Sequence, residues 1–420
     1  MGTITRAALR LAVAQALNLG QTSIATSSSA TTLIDATTQD LKRDADDRWN
    51  GSTLYLAAGT GGPSAELIDE STGTNTETSG ATVSATSVVD PLDAACIKIT
   101  TSATAGSTGK RAFALTGLTA TAEYIFSAWC KGDGIVTPRF GIYNTTGAAD
   151  IYAAQSTGVT SKEWTRVIRR VRLPAACTAA RIDLHGSSEL SSTVYWDKPS
   201  FRRLGQERYI SDWVSSTGTF TVATWVTNPA ADTLYEAYYK TFTLSDYDRA
   251  INDAIKKTWP RLWALKYDTS ITTVTNTWAY DLPPSVTLPL LKVEVQDTTT
   301  YATYPYTEMA FWRVLENGAT RQIQFDNAQT AGYAVRLTYL SPVSTLETDF
   351  DELDDAYRTY VVLRAAASLY TIFLGKPSRA DRVQVGENAA FFGEEAEYEL
   401  RKVERQRPAT KVRIAYPWAR

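Results

Sequence analysis

Between residues 62 and 205 the chain is built of short alternating runs, and this restricts its fold more than any other feature. The runs are Cys96–Thr100, Arg111–Leu115, Tyr124–Lys131, Arg139–Tyr143, Trp164–Leu173, Ala180–His185 and Thr193–Asp197, separated by Gly, Pro, Asn and Ser clusters. Alternation at period two sends successive side chains to opposite faces, so each run can bury only one face. Several such strands at regular spacing, with no helical period among them, predict a β-sandwich or jelly roll.

The flanks read differently. Ala8, Leu9, Ala12, Val13, Ala16 and Leu17 recur at helical spacing over 5–18, with Thr3 or Thr5 as cap and Gly20 as terminator. The Ser/Thr stretch 22–32 reads as a loop, Asn50-Gly51 as a turn and 53–57 as a strand. Arg208–Val214, Gly218–Val222 and Asp232–Glu236 read as strands of a small sheet. Ser245-Asp246-Tyr247-Asp248 opens a helix in capping-box style, with Tyr247, Ile251, Ala254 and Ile255 as its apolar face. Strands near 270–275, 278–282, 290–296, 321–326 and 333–340 follow, with a short helix near 308–316. Two long helices, about 353–374 and 379–405, close the chain before an extended tail, 408–420.

The strand at 53–57 lacks a local partner, and those after 205 look orphaned. Excising 62–205 would join them. Surface loops accept long insertions because closure entropy grows only with the logarithm of length. The expected organisation is therefore discontinuous. A helical assembly domain with a small β-unit takes 1–61 and 206–420, and an all-β sandwich takes 62–205. The fold class is α+β multidomain. Gly59-Thr60-Gly61-Gly62-Pro63 is the linker into the sandwich.

Composition narrows the function. A formal net charge of −3 gives no global attraction to nucleic acid or anionic lipid. Arg358 and Arg364 interrupt the longest apolar stretch, 356–374, which argues for a buried helix and against a membrane span. Cys96, Cys130 and Cys177 fit no zinc spacing and no disulfide framework, so they are expected as reduced core residues. The sole histidine, His185, leaves little scope for a metal site. The acidic run Glu347, Asp349, Asp351, Glu352, Asp354 and Asp355 lacks the ligand order of a calcium loop and precedes a helix, where negative charge is favoured. No phosphate-binding signature occurs. No cofactor, metal or catalytic step is expected.

The order Asp46-Asp47-Arg48-Trp49-Asn50-Gly51, Tyr209-Ile210-Ser211-Asp212-Trp213, Gly218–Val222, Ala250-Ile251-Asn252-Asp253-Ala254 and the long C-terminal helix pair resembles bacteriophage head-to-tail connector (adaptor) proteins. The middle segment is similar to carbohydrate-binding-module-like jelly rolls through Tyr124–Gly134, Lys162–Val167 and Thr193–Phe201. The first resemblance implies a homo-oligomeric ring, commonly of about twelve copies, in the virion neck and assembled in the host cytoplasm. Its partners would be the portal protein and tail or stopper proteins, with DNA passing through the channel unread. It also points to the C-terminal tail for portal binding. There Arg407, Lys411 and Arg413 alternate with Val412, Ile414, Tyr416 and Trp418, as in a strand laid in a partner groove.

In the sandwich, Trp129, Trp164 and Trp196 are candidate glycan contacts, although strand tryptophans more often serve as core. The expected function is a structural adaptor ring decorated by the sandwich. The alternatives are a carbohydrate-binding or carbohydrate-active protein, or another tail or baseplate component.

Overall fold

The computed structural model describes residues 2–36, 46–86, 96–134, 136–160, 163–283, 286, 290–296, 306–317, 320–327, 330, 332–373 and 379–406. The chain divides into two compact units.

The first unit comprises 1–64, 204–264 and 342–410. Its seven-stranded sheet runs Gly20–Ile24, Leu234–Tyr238, Thr53–Leu56, Glu207–Val214, Thr219–Val222, Thr32–Ile34, Ser27–Ser28 in spatial order. Thr53–Leu56 thus pairs antiparallel with both Glu207–Val214 and Leu234–Tyr238. Trp49, Trp213, Phe220, Trp225 and Tyr235 fill one core against it.

Among the described residues, four helices belong to this unit: α1 (Arg6–Ala16), α2 (Leu244–Lys256), α3 (Arg358–Phe373) and α4 (Arg379–Gln406). They share a second core around Leu9, Val13, Tyr247, Ile251, Tyr360, Val361, Leu369 and Leu400. Thr5 caps α1 by accepting from the Ala8 amide. Helix α2 does have Tyr247, Ile251, Ala254 and Ile255 buried. Its capping box, however, is Thr243 with Asp246, two residues earlier than Ser245 with Asp248. Asp248 is committed elsewhere. It binds Arg10 of α1 through Nε at 2.8 Å, while Arg6 and Arg10 both bind Asp349. Within the acidic run, Asp354 caps the turn before α3 and Asp351 accepts from the Glu347 and Thr348 amides.

Among the described residues, the second unit comprises those within 65–203 and 265–341. Residues 65–203 form a sandwich of ten strands: β1 (Thr74–Thr78), β2 (Thr82–Thr86), β3 (Cys96–Thr100), β4 (Thr108–Thr116), β5 (Glu123–Lys131), β6 (Arg139–Asn144), β7 (Ala149–Ser156), β8 (Thr165–Arg172), β9 (Ala179–His185) and β10 (Thr193–Arg203). The two five-stranded sheets have the orders β8-β5-β10-β3-β2 and β7-β6-β9-β4-β1. Between them lie Phe113, Phe126, Phe140, Ile182, Leu184, Trp196 and Phe201, all buried. Phe126 stacks on Phe140 at 4.7 Å, and Tyr124 on Phe201 at 5.0 Å. The three cysteines are free and buried. Burial pushes the Cys130 thiol up to about 12.

The expected fold class is overturned. Strands take 43% of the residues and helices 19%, so the molecule is mostly β rather than a helical domain carrying one sandwich. Two causes are visible. The Ser/Thr stretch read as a loop contributes the strands Gly20–Ile24, Ser27–Ser28 and Thr32–Ile34, because Ser and Thr suit half-exposed sheet positions as well as turns. Residues 264–341 also make a β-body of their own. It has a four-stranded sheet, a three-stranded sheet and a core around Val293, Ile323, Phe325, Val335 and Leu337.

The helix expected near 308–316 is the strand Trp312–Asn317, in which Trp312 and Val314 alternate inward. Gly20 does not terminate α1 either. Asn18 takes the left-handed turn (φ 55), and Gly20 opens a strand so close to α1 that a Cβ would lie 2.5 Å from that of Ala14.

Candidate functional site

Arg407, Lys411, Val412, Arg413, Ile414, Tyr416 and Trp418 lie outside the described residues. The three tryptophans can be placed. Trp196 is fully buried and donates its Nε1–H to the His185 carbonyl at 3.0 Å, so it is core and offers no ring to a ligand. Trp129 and Trp164 are half-buried at the β5 sheet, where Trp129 stands opposite Arg166 and Asp197. Lys131 places its ammonium 5.0 Å from the Trp164 ring centre and 4.8 Å from that of Tyr195. One cation therefore occupies the surfaces a sugar would stack on.

The opposite face, on the β9 sheet, is built differently. Its outward residues fall into cross-strand rows. Thr76, Lys110, His185 and Arg139 form one; Thr74, Ala112, Asp183 and Gly141 the next; Ala114, Arg181 and Tyr143 a third. Alternation forces this arrangement, because Phe113, Leu115, Ile182 and Leu184 point into the core from the positions between. On the strand Thr108–Thr116 the outward positions of the second and third rows are the small Ala112 and Ala114, whereas Gly141 is buried, a Cβ there meeting the Ala154 backbone at 3.2 Å.

The result is a groove of about 310 Å³ lined by Thr72, Thr74, Thr76, Lys110, Ala112, Ala114 and Arg181. Asp183, in the middle row between those of Lys110 and Arg181, is only 6% exposed. Arg181 binds Asp183 bidentately through Nε at 2.7 Å and Nη2 at 2.9 Å, and Lys110 Nζ reaches it at 3.1 Å. Such paired bonds fix the guanidinium plane. Arg181 also lies over the Tyr143 ring at 5.0 Å. His185 stands at the end of β9, where burial, reinforced by Lys110, Arg139 and Arg181 against the opposing pull of Asp183, lowers its pKa to about 4. It is neutral at pH 7.

This face was missed in the sequence. Its signal was present, since Lys110, Ala112 and Ala114 alternate with apolar residues, as do Arg181, Asp183 and His185. That these two strands are neighbours was not readable, with Lys110 and Asp183 separated by 73 positions.

A second, more open depression of about 570 Å³ runs along α3 and α4. Its lining mixes Arg364 and Arg401 with Glu394 and Glu397, leaving no charge of one sign to select a ligand.

No protein-family model matches the chain, and no curated protein matches it. Among solved structures, part of the chain is similar to the enzymatically active domain of tailspike protein 4 of bacteriophage CBA120. That match has 14% identity and a TM-score of 0.26, and covers 32% of this chain and 19% of that one. A xylan-binding domain from Paenibacillus barcinonensis matches at 15% identity and a TM-score of 0.25, covering 36% and 92%. A family 11 carbohydrate-binding module from Clostridium thermocellum, in complex with a mixed-linked tetrasaccharide, matches at 16% identity and a TM-score of 0.26, covering 35% and 96%. These neighbours are carbohydrate-binding modules and a tailspike domain, where the sequence had resembled head-to-tail connectors.

Proposed function

We propose that the chain is a non-enzymatic glycan-binding protein whose sandwich holds an oligosaccharide in the β9-sheet groove. The observation carrying this reading is the floor of small residues, Ala112 and Ala114, walled by threonine hydroxyls and two cations. Hydroxyls, Lys and Arg supply the donors that sugar oxygens accept, and the short alanine side chains leave room for sugar rings. Glycoside hydrolysis needs two carboxylates about 5–10 Å apart across a cleft. None of the groove-lining residues is a carboxylate, and the buried Asp183 is already held by two cations.

A glycan array with the full chain tests this, alongside a reducing-sugar assay. Ala114 is exposed, so Ala114→Trp fills the groove without disturbing the core. Bound glycans should be lost in that variant, with no sugar released by either protein. An array without hits, or hits unaffected by Ala114→Trp, would sink the proposal.

One observation favours a second, compatible role as a homo-oligomer. Val383, Phe391 and Tyr398 of α4 are 64%, 59% and 57% exposed and recur at roughly two-turn spacing along one side of the helix. Exposed apolar stripes of this kind are common at subunit contacts. Light scattering of the purified chain is the check, and a monomer mass at all concentrations would remove this role.

A further inference from the structure

We infer that the groove selects anionic glycans, those bearing carboxylate or sulfate groups, over neutral ones; this rests on the glycan-binding reading above. Three features of the site carry it. The charged side chains lining the groove are both cations, Lys110 and Arg181. The acid that partly balances them, Asp183, is only 6% exposed and held by both, so a ligand meets ammonium and guanidinium groups first.

The third feature concerns stacking. Recognition of a neutral sugar draws much of its energy from an aromatic face packed on the ring's C–H groups. On this face the aromatic side chain among the described residues is Tyr143, and the Arg181 guanidinium covers it at 5.0 Å. The site therefore offers charge and hydroxyls but no open ring. Arg181 is held rigid by Asp183, two residues along the same strand, so its free edge is presented to an incoming anion at little cost in ordering. Lys110 accompanies it from the neighbouring strand, two rows along the sheet.

The experiment is calorimetric titration of the full chain with polygalacturonate and alginate (carboxylate), chondroitin sulfate and heparin (sulfate), and fully methyl-esterified pectin and β-glucan (neutral). The expected result is binding in at least one anionic arm, which identifies the anion. That binding should weaken about tenfold or more between roughly 50 and 500 mM NaCl. Esterified pectin should fall well below polygalacturonate if carboxylate is the anion. Lys110→Gln should weaken binding about tenfold while Lys110→Arg retains it, since only the former removes the charge. Lys110 is partly exposed, so neither change threatens the fold. Equal, salt-insensitive binding of the neutral polymers overturns the inference while leaving glycan binding intact. No binding in any arm overturns both.

Discussion

Gln206 closes a ring with Gly61: its backbone amide and its side-chain Nε2 both donate to the Gly61 carbonyl, each at 3.3 Å. The two residues are 145 positions apart. The same side chain donates to the Thr227 carbonyl at 2.8 Å and accepts from the Val226 amide at 2.7 Å. Next to it, Gly205 lies so close to Thr53–Leu56 that a Cβ would sit 2.4 Å from the Leu56 oxygen. The chain thus leaves and re-joins the first unit within one sheet.

Two substitutions should weaken that junction. Gln206→Ala deletes four hydrogen bonds around partly buried groups, and a loss of about 1–3 kcal/mol is expected. Gly205→Ala forces backbone apart and should cost about 1–3 kcal/mol through overpacking. Urea unfolding of the first unit reads both. Unchanged midpoints would mean the junction contributes no stability.

Arg10, 2% exposed, binds Asp248 and Asp349, and Tyr55 donates to Asp349 at 3.2 Å. Burial alone would raise the Asp349 carboxyl, but Arg10 and Arg6 outweigh it and hold it below its ordinary value. Asp349→Ala should therefore cost about 3–5 kcal/mol, because it leaves buried positive charge short of a partner. With a depressed folded-state value, the contribution of Asp349 is present above its unfolded pKa and disappears as pH falls through the folded one. The double variant Arg10→Met/Asp349→Leu should lose less than the sum of its single changes. Strict additivity in chemical denaturation would contradict the buried pair.

His185 gives a pH signature of opposite origin. Its ordinary value of 6.5 drops to about 4 in the fold, so folding favours the neutral ring. That contribution is complete above pH 6.5 and is lost as pH falls towards 4, at up to about 1.4 kcal/mol per pH unit. His185→Gln should flatten the stability profile over this window relative to the unaltered chain. Parallel profiles for the two proteins between pH 7 and 4.5 would refute the assignment.

Trp129 and Trp164 belong to the β5 sheet, away from the groove. Trp129→Ala and Trp164→Ala should leave glycan affinity within about twofold, where Arg181→Gln lowers it about tenfold or more. Titration with the best-binding polymer distinguishes the faces, and the reverse ranking would move the site to the tryptophans.

What the sequence determined by itself was local. Period-two alternation placed the strands at Cys96–Thr100, Tyr124–Lys131, Arg139–Tyr143 and Ala180–His185, because side-chain direction along a strand follows from the backbone alone. Helical spacing placed α1, α2, α3 and α4 for the same reason. Where local signals were weak, as in the Ser/Thr strands 20–34 and the strand Trp312–Asn317, propensity pointed elsewhere and sheet neighbours decided. The candidate site belonged wholly to tertiary structure. Lys110, Arg181 and Tyr143 acquire their chemistry only when β4, β9 and β6 lie side by side, and strand pairing depends on contacts that no short window of sequence contains.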